Sequence, residues 1–455
     1  MKKRVLSLLL VGIMTLSIAG CGEKSDGSSK DAGSGGDSGR GEPTLTTDGV
    51  GYDDATIEIN WLVQEGFDTT NQAVADYQKE TAIKFVKEHP EVRINVTAAG
   101  TQYNDAMAKL LTQAATDTAP DVAVIDSFYL PQYYDYLQPI GDVLEENNIP
   151  LDSWFPFAQE LMKPEDEVLA MWYDTDVRAL YYQKDLVENP PKDWDALFET
   201  MGALKEDGYS FLYPAGKNET TSCDILPWFW SQGGELMDEE GKPIFGEGDN
   251  KEAMIQTFDF LKKTVDEGIT PERVTSFMTD GDMIEDIATG KVAMFVGGSW
   301  LATQIGEVLG QEAFNEQYGI TDIPCMTEGI TSTCCGGWTY GVFTKDEQKR
   351  KLAAQFIIDM FIGDEGNVNY TAASGNLPCR ETSYELSDRF SNDPNAMAFK
   401  EIFENGHVRP SAQIYPFFST ELQVGVANVI NGSSTSIEAL DLMIKNVDGE
   451  YKKQE

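Results

Sequence analysis

Four short clusters set an aromatic ring beside glycine, a carboxylate or a second ring: Trp172-Tyr173-Asp174, Trp228-Phe229-Trp230, Gly298-Ser299-Trp300 and Gly336-Gly337-Trp338. Together they suit one kind of chemistry. A sugar ring has an apolar C–H face and an equator of hydroxyls. An aromatic platform covers the face, and carboxylate, amide or guanidinium groups bind the hydroxyls. Glycine lets backbone approach closely. Each aromatic taken singly is equally at home in a core, so the set carries the reading. The expectation is that these aromatics sit in loops at strand ends.

Other chemistries fail on the residues. Only His89 and His407 are present, so a histidine-rich metal site is excluded. No phosphate loop and no Gly-x-Ser-x-Gly elbow occurs. Gly36-Asp37-Ser38-Gly39 resembles a nucleophile motif but lies in a Gly/Ser-rich stretch where no oxyanion hole can form. Asp and Glu total 76 against 34 Lys and Arg, a net charge of −42. Carboxylate pairs then arise by chance and say nothing of glycoside hydrolysis. Such a surface repels phosphate backbones, which excludes nucleic acid as a partner. No cofactor and no metal is expected. After Cys21, the cysteines are Cys223, Cys325, Cys334, Cys335 and Cys379. They are odd in number, without Cys-x-x-Cys, and read as small buried hydrophobes. A Cys325–Cys379 bridge is an open alternative.

The elements that must position the aromatics are legible from periodicity. Ile57–Leu62 alternates as a strand. A helix carries Val74, Tyr77, Ala82, Phe85 and Val86 and ends at His89-Pro90. Val92, Ile94 and Val96 form a second strand, Ala106–Ala115 a second helix, and Val122–Ile125 a buried strand. This is βαβαβ, with parallel strands and right-handed crossovers. Ligands bind beyond the carboxyl ends of such strands, where Gln64, Glu65, Phe67, Asp126 and Tyr129 fall. Strands follow at Ala179–Tyr182, Ser210–Tyr213 and Val292–Val296. Asp193 caps a helix to Leu204, and a long helix carries Met254, Phe258, Leu261 and Val265. Capping boxes are expected at Thr344–Glu347 and at Thr435 with Glu438.

The amino terminus assigns a compartment. Met1-Lys2-Lys3-Arg4 precedes an apolar stretch, Val5–Ile18, too short to span a bilayer. Ile18-Ala19-Gly20-Cys21 resembles a bacterial lipobox, in which the peptide is cut before a cysteine that is then acylated. An ordinary secretory signal with a chance cysteine is the alternative. Residues 21–54 are rich in Gly, Ser and Asp and read as a lipidated cysteine with a flexible tether. Its r.m.s. reach is about 30 Å at ~5–6 Å × √n.

With these features, the chain resembles the extracellular solute-binding proteins of family 1, the carbohydrate receptors of ABC importers. The resemblance rests on Asp176–Leu186, Pro191-Lys192-Asp193-Trp194, Gly290–Met294 with Gly298-Ser299-Trp300, Gly336-Gly337-Trp338 and Gly375-Asn376-Leu377-Pro378. It implies an α/β fold of the type II periplasmic-binding-protein kind, two lobes joined by hinge segments with a ligand cleft between them. Lobe one would take residues 55–174 plus 327–376. Lobe two would take 175–326 plus 377–455. The resemblance also implies a non-enzymatic monomer, anchored through a palmitoylated Cys21 and facing outward. It would hand an oligosaccharide to permease transmembrane subunits. By position, Trp300 would stack on the sugar with Trp228 or Trp230 beside it. Glu65 and Asp126 would bind hydroxyls. Tyr173 and Asp174 would lie at the hinge, and Gly336, Gly337 and Trp338 would line the wall, with Arg380 nearby. A secreted glycan-degrading enzyme and a receptor for a peptide or polyamine are the alternatives.

Overall fold

The computed structural model describes residues 41–100, 103–238, 240–327 and 329–454, with Pro43–Glu455 as one compact unit. Cys21, the signal segment and most of the tether lie outside the described residues. Among the described residues, thirteen strands form two sheets. In chain order they are β1 Thr44–Thr46, β2 Gly49–Gly51, β3 Ile57–Val63, β4 Val92–Ala98, β5 Val122–Asp126, β6 Ala170–Asp176, β7 Arg178–Gln183, β8 Ser210–Leu212, β9 Val292–Gly298, β10 Tyr318–Thr321, β11 Thr333–Val342, β12 Leu377–Pro378 and β13 Gly406–Val408. The first sheet runs β1-β2-β4-β3-β5-β11-β6-β12, with β13 beside β11; the second runs β10-β7-β9-β8.

The parallel βαβαβ start is present. β3 pairs in parallel with β4 and with β5. Ile59, Trp61 and Val63 are buried, whereas Glu58 and Asn60 are exposed, as period two requires. The helix Gln72–Glu88 opens on Asn71, whose side chain accepts from the Val74 N–H, and stops at His89 before Pro90. The segment read as tether is ordered before its expected end. Thr44–Thr46 and Gly49–Gly51 form an antiparallel hairpin that continues the sheet onto β4 and buries Val50. Three residues per strand are too few to show a period.

The chain passes between the sheets at three places. β6 and β7 are separated by Val177 alone. β10 leads into β11, and β12, paired with β6, leads into the helices that follow. One apolar cluster gathers Trp61, Phe85, Tyr173, Tyr340 and Phe356 around the first sheet. The larger one runs from the helix Tyr103–Ala115 to Tyr181, Trp228 and Phe295 of the second. Cys223, Cys325, Cys334, Cys335 and Cys379 are all free and buried. The Cys325 thiol instead donates to the carbonyls of Lys192 and Thr327, so the alternative of a Cys325–Cys379 bridge does not hold.

Local expectations shift in two places. The cap of the helix Glu347–Ile357 is Asp346, which accepts from the Lys349 N–H at 2.9 Å; Thr344 lies outside it. Nor do the aromatic clusters sit in loops. Trp228-Phe229-Trp230 is the last turn of the helix Glu219–Trp230. Trp172–Asp174 lies within β6 and Gly336–Trp338 within β11, side by side in register. Only Trp300 leaves a strand end, after β9 and before the helix Leu301–Leu309.

Candidate functional site

A cavity of about 640 Å³ opens between the two sheets. From the first side come the loop after β3 with Gln64 and Glu65, then Asp126 at the carboxyl end of β5, Trp338 of β11, Tyr370 and Asn376. From the other come Arg178 of β7, Glu219, Asp280, Trp300 and the face of the helix Leu301–Leu309 bearing Gln304 and Glu307. Arg409, just after β13, reaches the same space.

Two buried guanidiniums organise the base. Arg409 donates to Asp126 at 2.7 Å and to Glu219 at 3.1 Å, and lies over the Phe128 ring at 4.4 Å. Glu219 also accepts from the Tyr415 hydroxyl at 2.9 Å and from Ser419. One arginine thus ties a carboxylate of the first sheet to one on the helix Glu219–Trp230. Arg178 pairs with Asp176 and with Asp224, each at 2.6 Å, and its guanidinium lies 4.5 Å from the Trp300 ring. Burial works against both positive charges, but the surrounding carboxylates more than offset it and hold both arginines protonated. Burial pushes the Asp126 carboxyl up to about 6; Arg409 opposes this, while Glu219 and Asp176 add to it. Asp224 and Asp280, buried together beside Arg178, are raised for the same reason.

The glycines have steric causes. A Cβ on Gly298 would fall 2.3 Å from the Trp300 ring, and one on Gly336 would fall 2.8 Å from Arg409 Nη2. Gly337 has φ +150°, and a Cβ there would fall 2.2 Å from the Asp174 carbonyl and from Trp172 Nε1.

Of the residues expected to bind, Glu65, Asp126, Trp300 and Trp338 line the cavity. Glu65 accepts from Thr69 at 2.9 Å. Asp174 stands directly behind, wholly buried, accepting from the Trp338 N–H at 3.2 Å and from Asn376 Nδ2 at 2.5 Å. It holds two lining residues in place. Tyr173 packs on Tyr340 and Phe361 and donates to Gln64. Three expectations are not met. Trp228 is core: it is fully buried against Phe260, and its N–H donates to the Pro324 carbonyl. Trp230 stacks on His407, with ring centroids 5.3 Å apart. Helix phase turns both rings away from the cavity. Arg380 is buried outside it, bound to Ser153, the Ile362 carbonyl and Asp364. The residues missed are Arg178, Arg409, Glu219, Asp280 and Asn376. An arginine heading the apolar strand Arg178–Gln183 was a usable signal. Nothing local marks Arg409.

The sequence profile of the bacterial extracellular solute-binding proteins matches residues 72–398. The chain belongs to that family. Similar to this solute-binding protein is a lactose-binding protein of Rhizobium radiobacter, 23% identical over 76% of this chain and 82% of the relative. The diacetylchitobiose binding protein DasA of Streptomyces coelicolor is 22% identical over 100% and 99%. The fold matches maltose-bound T. maritima MalE3 with a TM-score of 0.73 at 21% identity, covering 86% of this chain and 99% of that one. It also matches the GacH receptor of Streptomyces glaucescens, with a TM-score of 0.72 at 20% identity and coverage of 88% and 98%. These likenesses confirm the two-lobed α/β fold of periplasmic-binding-protein type. Members of the family are solute receptors, not enzymes, and by description act outside the cell. No described helix of this solute-binding protein is long and apolar enough to cross a membrane.

Proposed function

We propose that this protein is the carbohydrate receptor of an ABC importer, capturing an oligosaccharide and delivering it to the permease. The observation that carries this is the cavity between the two sheets, which places Trp300 and Trp338 among carboxylate, amide and guanidinium groups. Such a cavity offers stacking faces and charge-assisted hydrogen bonds together. Relatives named for lactose and diacetylchitobiose support the same class of ligand. Lobe one takes residues 55–174 plus 327–376, and lobe two takes 175–326 plus 377–455. Trp300, Glu65, Asp126 and Trp338 contact the sugar, and Cys21 carries the lipid that anchors the chain.

Glycan hydrolysis is the weaker reading. It needs one carboxyl as acid and another as base or nucleophile. Asp126 and Glu219 share Arg409, and Asp176 and Asp224 share Arg178, so these carboxylates are tied up in ion pairs. A calorimetric screen of di- to hexasaccharides, with small-angle scattering on each binder, tests the proposal. A saccharide should bind and shrink the radius of gyration, because contacts to both lobes exist only when the hinge closes. A scattering profile unchanged at saturation would sink the hinged receptor. Release of new reducing ends by the pure protein would move it to the hydrolases. Replacing the anchor, Cys21→Ser, should leave the protein unprocessed or shed into the medium; retention in the membrane fraction at wild-type size would refute the lipobox.

A further inference from the structure

The charge balance of the cavity is not that of a site for a neutral ligand. Seven carboxylates line it against two guanidiniums, with no lysine or histidine. Both guanidiniums are already spent on Asp126, Glu219, Asp176 and Asp224. Glu65, Glu307 and Asp280 remain, and no lysine or arginine of the described residues forms an ion pair with them.

Glu65 leaves the end of β3 on one wall. Glu307 lies on the helix Leu301–Leu309 on the other, near enough that its charge raises the Glu65 carboxyl further above the value that burial already gives it. Closing such a cleft over a neutral sugar brings like charges together in a medium of lower dielectric. A second observation is independent of this pair. Asp280 is 1% exposed and lines the same cavity, yet neither of its oxygens accepts a well-formed hydrogen bond from the protein. Its neighbours are the Asp224 carboxyl, Arg178 and the Gly298 backbone. The cavity therefore presents acceptors and asks the ligand for donors. A bare metal ion does not fit, since no group of three or more potential ligands gathers among the described residues.

We propose that the captured saccharide carries a free amine, and that its ammonium group sits between Glu65 and Glu307. This rests on the carbohydrate-receptor reading above. Trp300, Gln304 and Glu307 follow one another at i, i+4 and i+7, so they share a face of the helix turned to the cavity. Seven residues rise about 10 Å. A ring stacked on Trp300 and an ammonium at Glu307 thus belong to different residues of a short oligosaccharide. The ammonium relieves the repulsion between the two glutamates and donates charge-assisted hydrogen bonds to both walls, which couples recognition to closure.

The test is calorimetry with di- to tetrasaccharides supplied as matched pairs, one with free 2-amino groups and one fully N-acetylated, alongside unmodified neutral oligosaccharides. The amine series should bind at least tenfold more tightly than its N-acetylated partner. That margin should shrink between 50 mM and 500 mM salt. The Glu65→Gln/Glu307→Gln double variant should lose the margin while keeping its melting temperature, since Glu307 is exposed and Glu65 only partly buried. Equal or tighter binding of the acetylated or neutral sugars by the wild type would overturn the amine inference and leave the sugar receptor standing. Spermidine binding with no saccharide of any series bound would overturn both.

Discussion

Trp300 and Trp228 are two tryptophans of one protein with opposite surroundings, and they separate binding from folding. Trp300 is partly exposed at the cavity, with Arg178 over its ring and Gly298 against it. Trp228 is wholly buried with its N–H satisfied. Stacking of an aromatic on a ligand ring is worth about 1–3 kcal/mol. Trp300→Ala should therefore weaken saccharide binding about 5- to 150-fold and lower the melting temperature little. Trp228→Ala should cost about 3–5 kcal/mol of stability and spare the affinity of whatever remains folded. Affinity and denaturant titrations on both variants check this; a Trp300 variant that unfolds with its affinity intact would remove that residue from the site. The contrast also shows what was legible. Trp300 follows a strand end after two glycines, and that position identifies it. Trp228 and Trp230 were misread because an aromatic triplet looks the same in a loop and in the last turn of a helix. Arg409 was invisible because its role depends on β13 pairing with β11, a contact between residues some 70 positions apart.

At the scale of elements, periodicity served where segments were long. The helix Gln72–Glu88, the buried strand β5 and the helix Ser436–Gln454, with Thr435 and Glu438 bonding reciprocally, all stand where the pattern put them. It failed where segments were short, as in the β1–β2 hairpin, or uniformly buried, as in Glu219–Trp230, which buries all its residues and so shows no polar face. The cap at Asp346 is a case in which two side chains competed for one role. Thr344 and Asp346 both precede a helix, but only the Asp346 carboxylate accepts a first-turn N–H. Asp346→Ala should thus destabilise by about 1 kcal/mol, and Thr344→Ala by much less. Urea midpoints for the two variants give the answer directly, and a larger loss at Thr344 would return the cap to the position read from sequence.

For the whole molecule, the buried acids of the cleft and the net charge of −42 act in the same direction. Asp126, 5% exposed, has its carboxyl pushed from 3.8 up to about 6 by burial. Burial also raises Glu65, Asp174, Asp224 and Asp280. A raised carboxyl keeps its proton in the folded chain at a pH where the unfolded chain has lost it. The folded state then binds more protons, and stability falls as pH rises from the unfolded value toward the folded one. For Asp126 alone that window is roughly pH 4 to 6, and the loss is about 3 kcal/mol at most. Two groups oppose. Asp142, lowered to about 2 mainly by its hydrogen bond to Arg350, gives up its contribution only below pH 4, outside the window. His407, lowered by burial, favours the folded state at higher pH, but it is a single group against five. Diffuse repulsion among surface carboxylates adds to the same trend and is screened by salt, whereas the buried groups are screened much less. The ligand-free protein should therefore melt at a higher temperature at pH 5 than at pH 7.5, and the difference should persist at 0.5 M salt. Calorimetric scans at the two pH values, each at low and high salt, check both parts. A melting temperature that falls on going to pH 5 would mean that these carboxylates are ionised in the fold at no cost. A difference that vanishes in salt would assign the effect to the surface and take it from the cleft.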